Sequence, residues 1–193
     1  MSERAPAVQA SYMKNLFAAL EAQGKLSAIA ARDPELLAAI AAAPRASWLP
    51  VELNVRTVEA TAAAFGEERG LSLLADCVYR QFDTPLWKGF IGGGLRLLGA
   101  QPGSLGRWIP QAMRIVFRGC GLWTAERSGE TELSVRVHEL PARLAAHPLW
   151  QRSLAIGMTP LFTLCGCSGS SRLVDTSLAE RRASYLLSWK APR

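Results

Sequence analysis

Acid–base, nucleophilic or metal chemistry needs imidazole, thiol or carboxylate groups held beside one another. The chain offers two histidines, His138 and His147, and four cysteines, Cys77, Cys120, Cys165 and Cys167. His138 falls on the polar side of a strand-like alternation, and His147 precedes Pro148, so the expected roles are a solvated strand residue and a turn or helix cap. Cys165-Gly166-Cys167 is spaced too tightly for a zinc knuckle, whose cysteines stand two to four residues apart and need a second pair. Gly92 and Gly94 begin a glycine-rich phosphate loop, but Leu97 stands where its third glycine belongs, and no Gly-Lys-Ser/Thr follows. There is no Gly-x-Ser-x-Gly elbow to expose a serine nucleophile. An enzyme would need His138, Glu139, Asp175 or a cysteine to converge in one cleft. The expectation is a non-enzymatic protein with no metal site and no cofactor.

Aromatic residues are the more suggestive set. Trp108, Trp123, Phe162, Tyr185 and Trp189 belong to elements that should enclose the space between a sheet and the helix crossing it. They form either a filled core or the wall of an apolar ligand pocket, since small-molecule sites are mostly apolar with a few polar anchors. Gly89 and Gly93 lie one helical turn apart and present a flat strip for close helix packing, including self-association into a homodimer.

The elements that must position these residues follow from hydrophobic period. Tyr12, Met13, Leu16, Phe17 and Leu20 share one face of a first helix, which Gly24 stops. Asp33-Pro34 is an N-cap followed by a first-turn proline, and starts a short helix carrying Leu36, Leu37 and Ile40. Trp48 and Leu49 should tuck into the core before a third helix begins at Pro50 and buries Val51, Val55, Val58, Ala62 and Phe65. A fourth helix bears Leu71, Leu74, Val78 and Phe82, and a fifth should run from about Pro85 through Leu98. A further helix spans Leu105 to Phe117, with Pro110 inside it.

From Gly121 the period changes to two. Leu122–Arg127 and Glu132–His138 read as a β-hairpin around Ser128-Gly129, with Leu133, Val135 and Val137 on the dry face. His147-Pro148 opens a crossover helix carrying Leu154, Met158, Leu161, Phe162 and Cys165. Two more strands, Arg172–Leu178 and Arg182–Lys190, close the chain, the second turning Ala183, Tyr185, Leu187 and Trp189 inward. The predicted fold class is α+β: a helix-rich N-terminal half packed on an antiparallel sheet of about four strands, built as hairpin, crossover helix, hairpin. One domain is expected over 1–193, with a helical segment to 45, a helical half over 46–119, and the sheet with its crossover over 120–193.

A chain of 193 residues with 49% hydrophobic content is long enough for one sizeable core. No apolar run approaches the roughly 20 residues that cross a bilayer. The N-terminus lacks the basic and apolar regions of a secretory signal, so a cytoplasmic location with reduced cysteines is expected. The net charge is +6, but the arginines are scattered and Arg181-Arg182 is the only adjacent basic pair, which argues against a nucleic-acid partner.

Three blocks carry a likeness: 46–53 (Ala-Ser-Trp-Leu-Pro-Val-Glu-Leu), Trp87-Lys88-Gly89-Phe90-Ile91 leading into 95–99, and Ile156-Gly157-Met158 before the final Tyr185–Trp189 strand. In these the chain resembles a family of uncharacterised proteins expanded in myxobacteria. The order of elements also resembles the ligand-sensing folds of vinyl-reductase-type domains, haem-based nitric-oxide sensors and small subunits of a Golgi tethering complex. The proximal haem histidine is not found, and the cysteine cluster of vinyl-reductase-type domains is reduced to Cys165 and Cys167. The resemblance implies a non-catalytic sensor or binding module for a small apolar ligand or a partner protein, or else an adaptor that self-associates through its helices.

Overall fold

The N-terminal strand β1 (Ala7–Gln9) is the middle of a three-stranded antiparallel sheet, flanked by β2 (Trp48–Pro50) and β3 (Phe117–Arg118). Its central residue Val8 pairs with Leu49 on one side and Phe117 on the other, and is fully buried. The computed structural model describes residues 5–84, 87–88 and 102–190. The expected fifth helix, with Gly89 and Gly93, lies almost wholly outside these residues.

This small sheet was not expected from the sequence. Its strands are two or three residues long and contribute pairings from three distant parts of the chain, so no local period betrays them.

Helix α1 (Ala10–Ala22) continues directly from β1 and buries Met13, Leu16, Phe17 and Leu20, the face that the three- and four-residue spacing specifies. It ends at Gly24, whose φ of +65° suits glycine. After the short α2 (Leu26–Ala30), α3 (Pro34–Ala42) starts as its sequence dictates: Asp33 accepts a hydrogen bond from the Leu36 amide at 3.0 Å, and Pro34 fills the first turn. Arg56 of α4 (Glu52–Phe65) holds the same Asp33 carboxylate through two nitrogens, at 2.8 and 2.5 Å. That pair ties α3 to α4.

Helix α4 differs from the expected face. Val51 and Val58 are buried, but Val55, Ala62 and Phe65 are half-buried, and the dry side also carries Asn54, Thr57 and Thr61. The two threonine hydroxyls donate back to carbonyls one turn earlier, Leu53 and Thr57, which lets them face the core without unpaired groups. Helix α5 (Glu67–Gln81) then crosses α4 so closely that a Cβ on Gly70 would stand 3.0 Å from the Ala62 Cα.

Helix α6 (Leu105–Val116) runs straight into β3. The second sheet follows: β4 (Leu122–Gly129), β5 (Glu132–His138), β6 (Gly169–Ser177) and β7 (Arg182–Trp189), in the order β4-β5-β7-β6, all antiparallel. This is the expected pair of hairpins, joined centrally by β5 and β7. The crossover between them is broken: α7 (Ala142–Ala145), α8 (Pro148–Met158) and α9 (Leu161–Leu164), with Pro160 ending the continuity expected from Leu154 to Cys165. α6 packs on β4 and α8 on β6, covering the inner face formed by Val135, Val137, Ala183, Tyr185 and Leu187. The opposite faces of these helices look toward α1, α4 and α5. The architecture is α+β, a helical layer and a four-stranded sheet sharing one continuous set of buried residues.

Candidate functional site

Between α1, α4, α5, α6 and α8 the side chains leave a pocket of about 90 Å³. Its walls are Leu16, Val58, Leu74, Ile109, Met113, Leu154 and Met158, closed by Phe82, Trp87 and Phe117. Aromatic edges brace it. Phe117 meets Trp150 edge-on at 6.0 Å and Tyr12 at 6.3 Å, and Phe82 meets Trp87 edge-on at 6.1 Å. The polar side chains reaching its wall are Tyr12, Asn54 and Ser153. Ser153 is engaged with the Trp150 carbonyl one turn back.

Asn54 is the best placed of the three. Its Oδ1 accepts from the Trp150 indole Nε1 at 2.8 Å, and its Nδ2 reaches only the Met13 thioether, at 3.4 Å. A thioether is a weak acceptor, so the amide retains donor capacity at the pocket wall while 5% exposed. Trp150 is itself held from two sides. The His147 Nδ1 accepts from the Trp150 backbone amide at 3.1 Å, and the His147 Nε2 meets the Glu59 carboxylate at 2.9 Å. With Nδ1 accepting, the ring proton sits on Nε2 and is donated to Glu59. His147 is thus the helix cap that the sequence suggested, and it also staples α8 to α4. Burial, aided by the nearby Cys77, pushes the Tyr12 phenol well above its ordinary range, so it stays protonated.

The five aromatics singled out from the sequence all point inward. Trp123 of β4 and Tyr185 of β7 stack at 5.8 Å, Phe162 of α9 and Trp189 of β7 meet at 6.2 Å, and Trp108 is buried on α6. They gather beneath the four-stranded sheet, and none of them lines the pocket described above. The Tyr185 hydroxyl and the Trp123 Nε1 are buried there without a hydrogen-bond partner. Burial pushes the Tyr185 phenol up as well.

Asn54 and Trp150 were not singled out from the sequence. The available signal was a polar run at 54, 57 and 61 beside the apolar 51 and 58, which a purely hydrophobic period reads as the wet side.

The cysteines and histidines do not converge. Cys77 and Cys120 are buried on α5 and after β3, and burial pushes their thiols up to about 11 and about 12. His138 is exposed on β5. Among the described residues no group of three or more His, Cys, Asp or Glu side chains could hold a metal ion, and no helix is long and apolar enough to cross a membrane.

Sequence comparison gives no relatives: no protein-family model and no curated protein matches the chain. Structure comparison shows a similar fold in H-NOX proteins. The unliganded Fe(II) H-NOX protein from K. algicida superposes with a TM-score of 0.57 over 95% of this chain and 97% of that one, at 8% identity. A single-residue variant of Tt H-NOX gives 0.58 over 96% of each chain at 10% identity. An H-NOX protein studied for haem distortion gives 0.61 over 96% of each at 8% identity.

Haem iron in proteins is held by His, by a Cys or Tyr anion, or by Met paired with His. Neither histidine nor any cysteine lines the pocket. A pocket of about 90 Å³ is also smaller than the roughly 150 Å³ cavity that takes up benzene, a far smaller molecule than a macrocycle. The described residues therefore do not fit a haem.

Proposed function

We propose that this chain is a non-catalytic sensor module that binds a small, largely apolar molecule in the pocket between α1, α4, α5, α6 and α8. The observation that carries the reading is Asn54: a buried amide, fixed by Trp150, with a donor left to a thioether at the wall of an otherwise apolar pocket. The likeness of the fold to H-NOX structures supports a sensing role. The resemblance to the myxobacterial group, which rests on the three sequence blocks, belongs to the same proposal.

Pocket size bounds the ligand. At about 90 Å³ it admits only a few non-hydrogen atoms. Small ligands gain at most about 1.5 kcal/mol per such atom, so a four-atom ligand is limited to about 6 kcal/mol. Dissociation constants should therefore lie no tighter than roughly tens of micromolar. Methyl-resolved NMR titration with xenon and with propanone tests the proposal. Saturable shifts should centre on Leu16, Val58, Met113 and Met158, with propanone also moving the Asn54 side-chain amide. Absence of saturable shifts with either probe refutes it.

A further inference from the structure

We propose that a second cleft, at the end of the four-stranded sheet, binds a small zwitterion with an apolar side chain, of the kind an aliphatic α-amino acid presents. The cleft has a volume of about 620 Å³ and is lined by Gly121, Leu122, Glu139, Pro141, Arg143 and Arg181 among others. It lies apart from the helix pocket, shares no residue with it, and stands or falls independently of that proposal.

Backbone strain marks it first. Glu139 and Arg181 are the two non-glycine residues with left-handed backbone among the described residues, at φ of 56° and 52°, and both line this cleft. Such conformations persist when the surroundings over-determine them. Here the surroundings are a reciprocal clasp. The Leu140 amide donates to the Arg181 carbonyl at 2.9 Å, and the Arg181 Nε donates back to the Leu140 carbonyl at 2.7 Å. The Arg181 Nη2 also points to the Glu139 carbonyl at 3.4 Å. One edge of the guanidinium is thereby fixed in place, and no described partner takes the Nη1 donors.

Charge placement then selects the ligand. Arg143 is already ion-paired with Glu52, which leaves Arg181 as the lining cation with no ion-pair partner among the described residues. The Glu139 carboxylate has no described partner either, and it does not form an ion pair with Arg181 although both line the same cleft. Two opposite charges that line one cleft without pairing with each other can both be met by a molecule carrying both signs: a carboxylate for Arg181 and an ammonium for Glu139. Leu122, 56% exposed, and Pro141 offer the seat for an apolar side chain.

Calorimetric titration of the full chain with L-leucine, leucinamide and 4-methylpentanoate tests this. Leucine should bind saturably, and each analogue, lacking one charge, should bind at least about tenfold more weakly. Glu139→Gly relieves the left-handed strain, so its melting temperature should match or exceed the parent's while leucine affinity falls by the same factor. Glu139→Gln, which keeps the size of the side chain, should lose affinity likewise. Absence of leucine binding, equal binding of 4-methylpentanoate, or unchanged leucine affinity in both variants would overturn the inference.

Discussion

Replacing Asn54 with leucine should destabilise the fold and should do so through Trp150. The Trp150 side chain is 0% exposed and its indole donates to Asn54 Oδ1 at 2.8 Å. Asn54→Leu strands that N–H in the core, and an unsatisfied buried donor costs about 1–3 kcal/mol. With leucine keeping the branching and heavy-atom count of asparagine, about 2 kcal/mol is the expected loss. In a chain of 193 residues that corresponds to roughly 4–8 °C in Tm. Trp150→Phe strands the Asn54 oxygen instead, and adds the cost of the missing half of the indole. The double variant removes both polar partners, so its loss should fall short of the sum of the singles by about 1–2 kcal/mol. Urea denaturation of the four proteins at one pH measures this cycle. Additivity within about 0.3–0.5 kcal/mol would refute the claim that these two residues act as a buried pair.

Asp33→Ala removes the cap of α3 and the partner of Arg56, and should cost about 1 kcal/mol at neutral pH. Arg56 and the Leu36 amide hold the Asp33 carboxyl below its ordinary range, so its stabilisation is complete above that range and is lost as pH falls through the depressed value; urea melts at pH 7 and pH 3 should show the gap closing. Gly169→Ala should cost about 1–3 kcal/mol by overpacking, because its Cβ would stand 2.7 Å from the Phe162 ring and from the Ser188 carbonyl. Gly24→Ala, with open space but a φ of +65°, should cost only about 1 kcal/mol, and equal losses from the two would contradict the steric argument. In native protein at pH 8, iodoacetamide should modify Cys167 well before Cys77, Cys120 and Cys165, whose thiols burial pushes up to about 11, 12 and 11; mass spectrometry of timed samples would show it.

The second sheet was legible because its information is local. β5 alternates Leu133, Val135 and Val137 against polar neighbours, and β7 repeats the pattern with Ala183, Tyr185, Leu187 and Trp189, so period alone gives both strands and their dry faces. The Asp33-Pro34 helix start was legible for the same reason. The three-stranded sheet was not, since Val8, Leu49 and Phe117 are brought together only by the folded chain. The polar wall of the helix pocket went unread for a more specific reason. The hydrophobic period of α4 singled out only its apolar residues and passed over Asn54, Thr57 and Thr61, yet each has a hydrogen-bond partner that makes its burial tolerable. The threonines find theirs within their own helix. Asn54 finds its partner 96 residues away in Trp150, and a pairing of that range leaves no trace in a local pattern.

Gly157 separates the pocket's role in binding from its role in packing. It lies on the pocket wall in α8, and a Cβ built there meets nothing within 4 Å. Glycine in a helix costs about 0.5–1 kcal/mol relative to alanine, so Gly157→Ala should raise stability by about 0.5 kcal/mol, less than the full figure because the helix ends one residue later. The added methyl projects into the free space. In a pocket of about 90 Å³ it removes a large share of the volume, so xenon and propanone should lose affinity even as the protein becomes harder to unfold. A packing defect with no ligand would give the first effect without the second, because filling it only helps the fold. Stability and affinity moving in opposite directions is therefore the outcome that the sensor reading requires. An alanine variant that binds both probes as the parent does would place the ligand elsewhere.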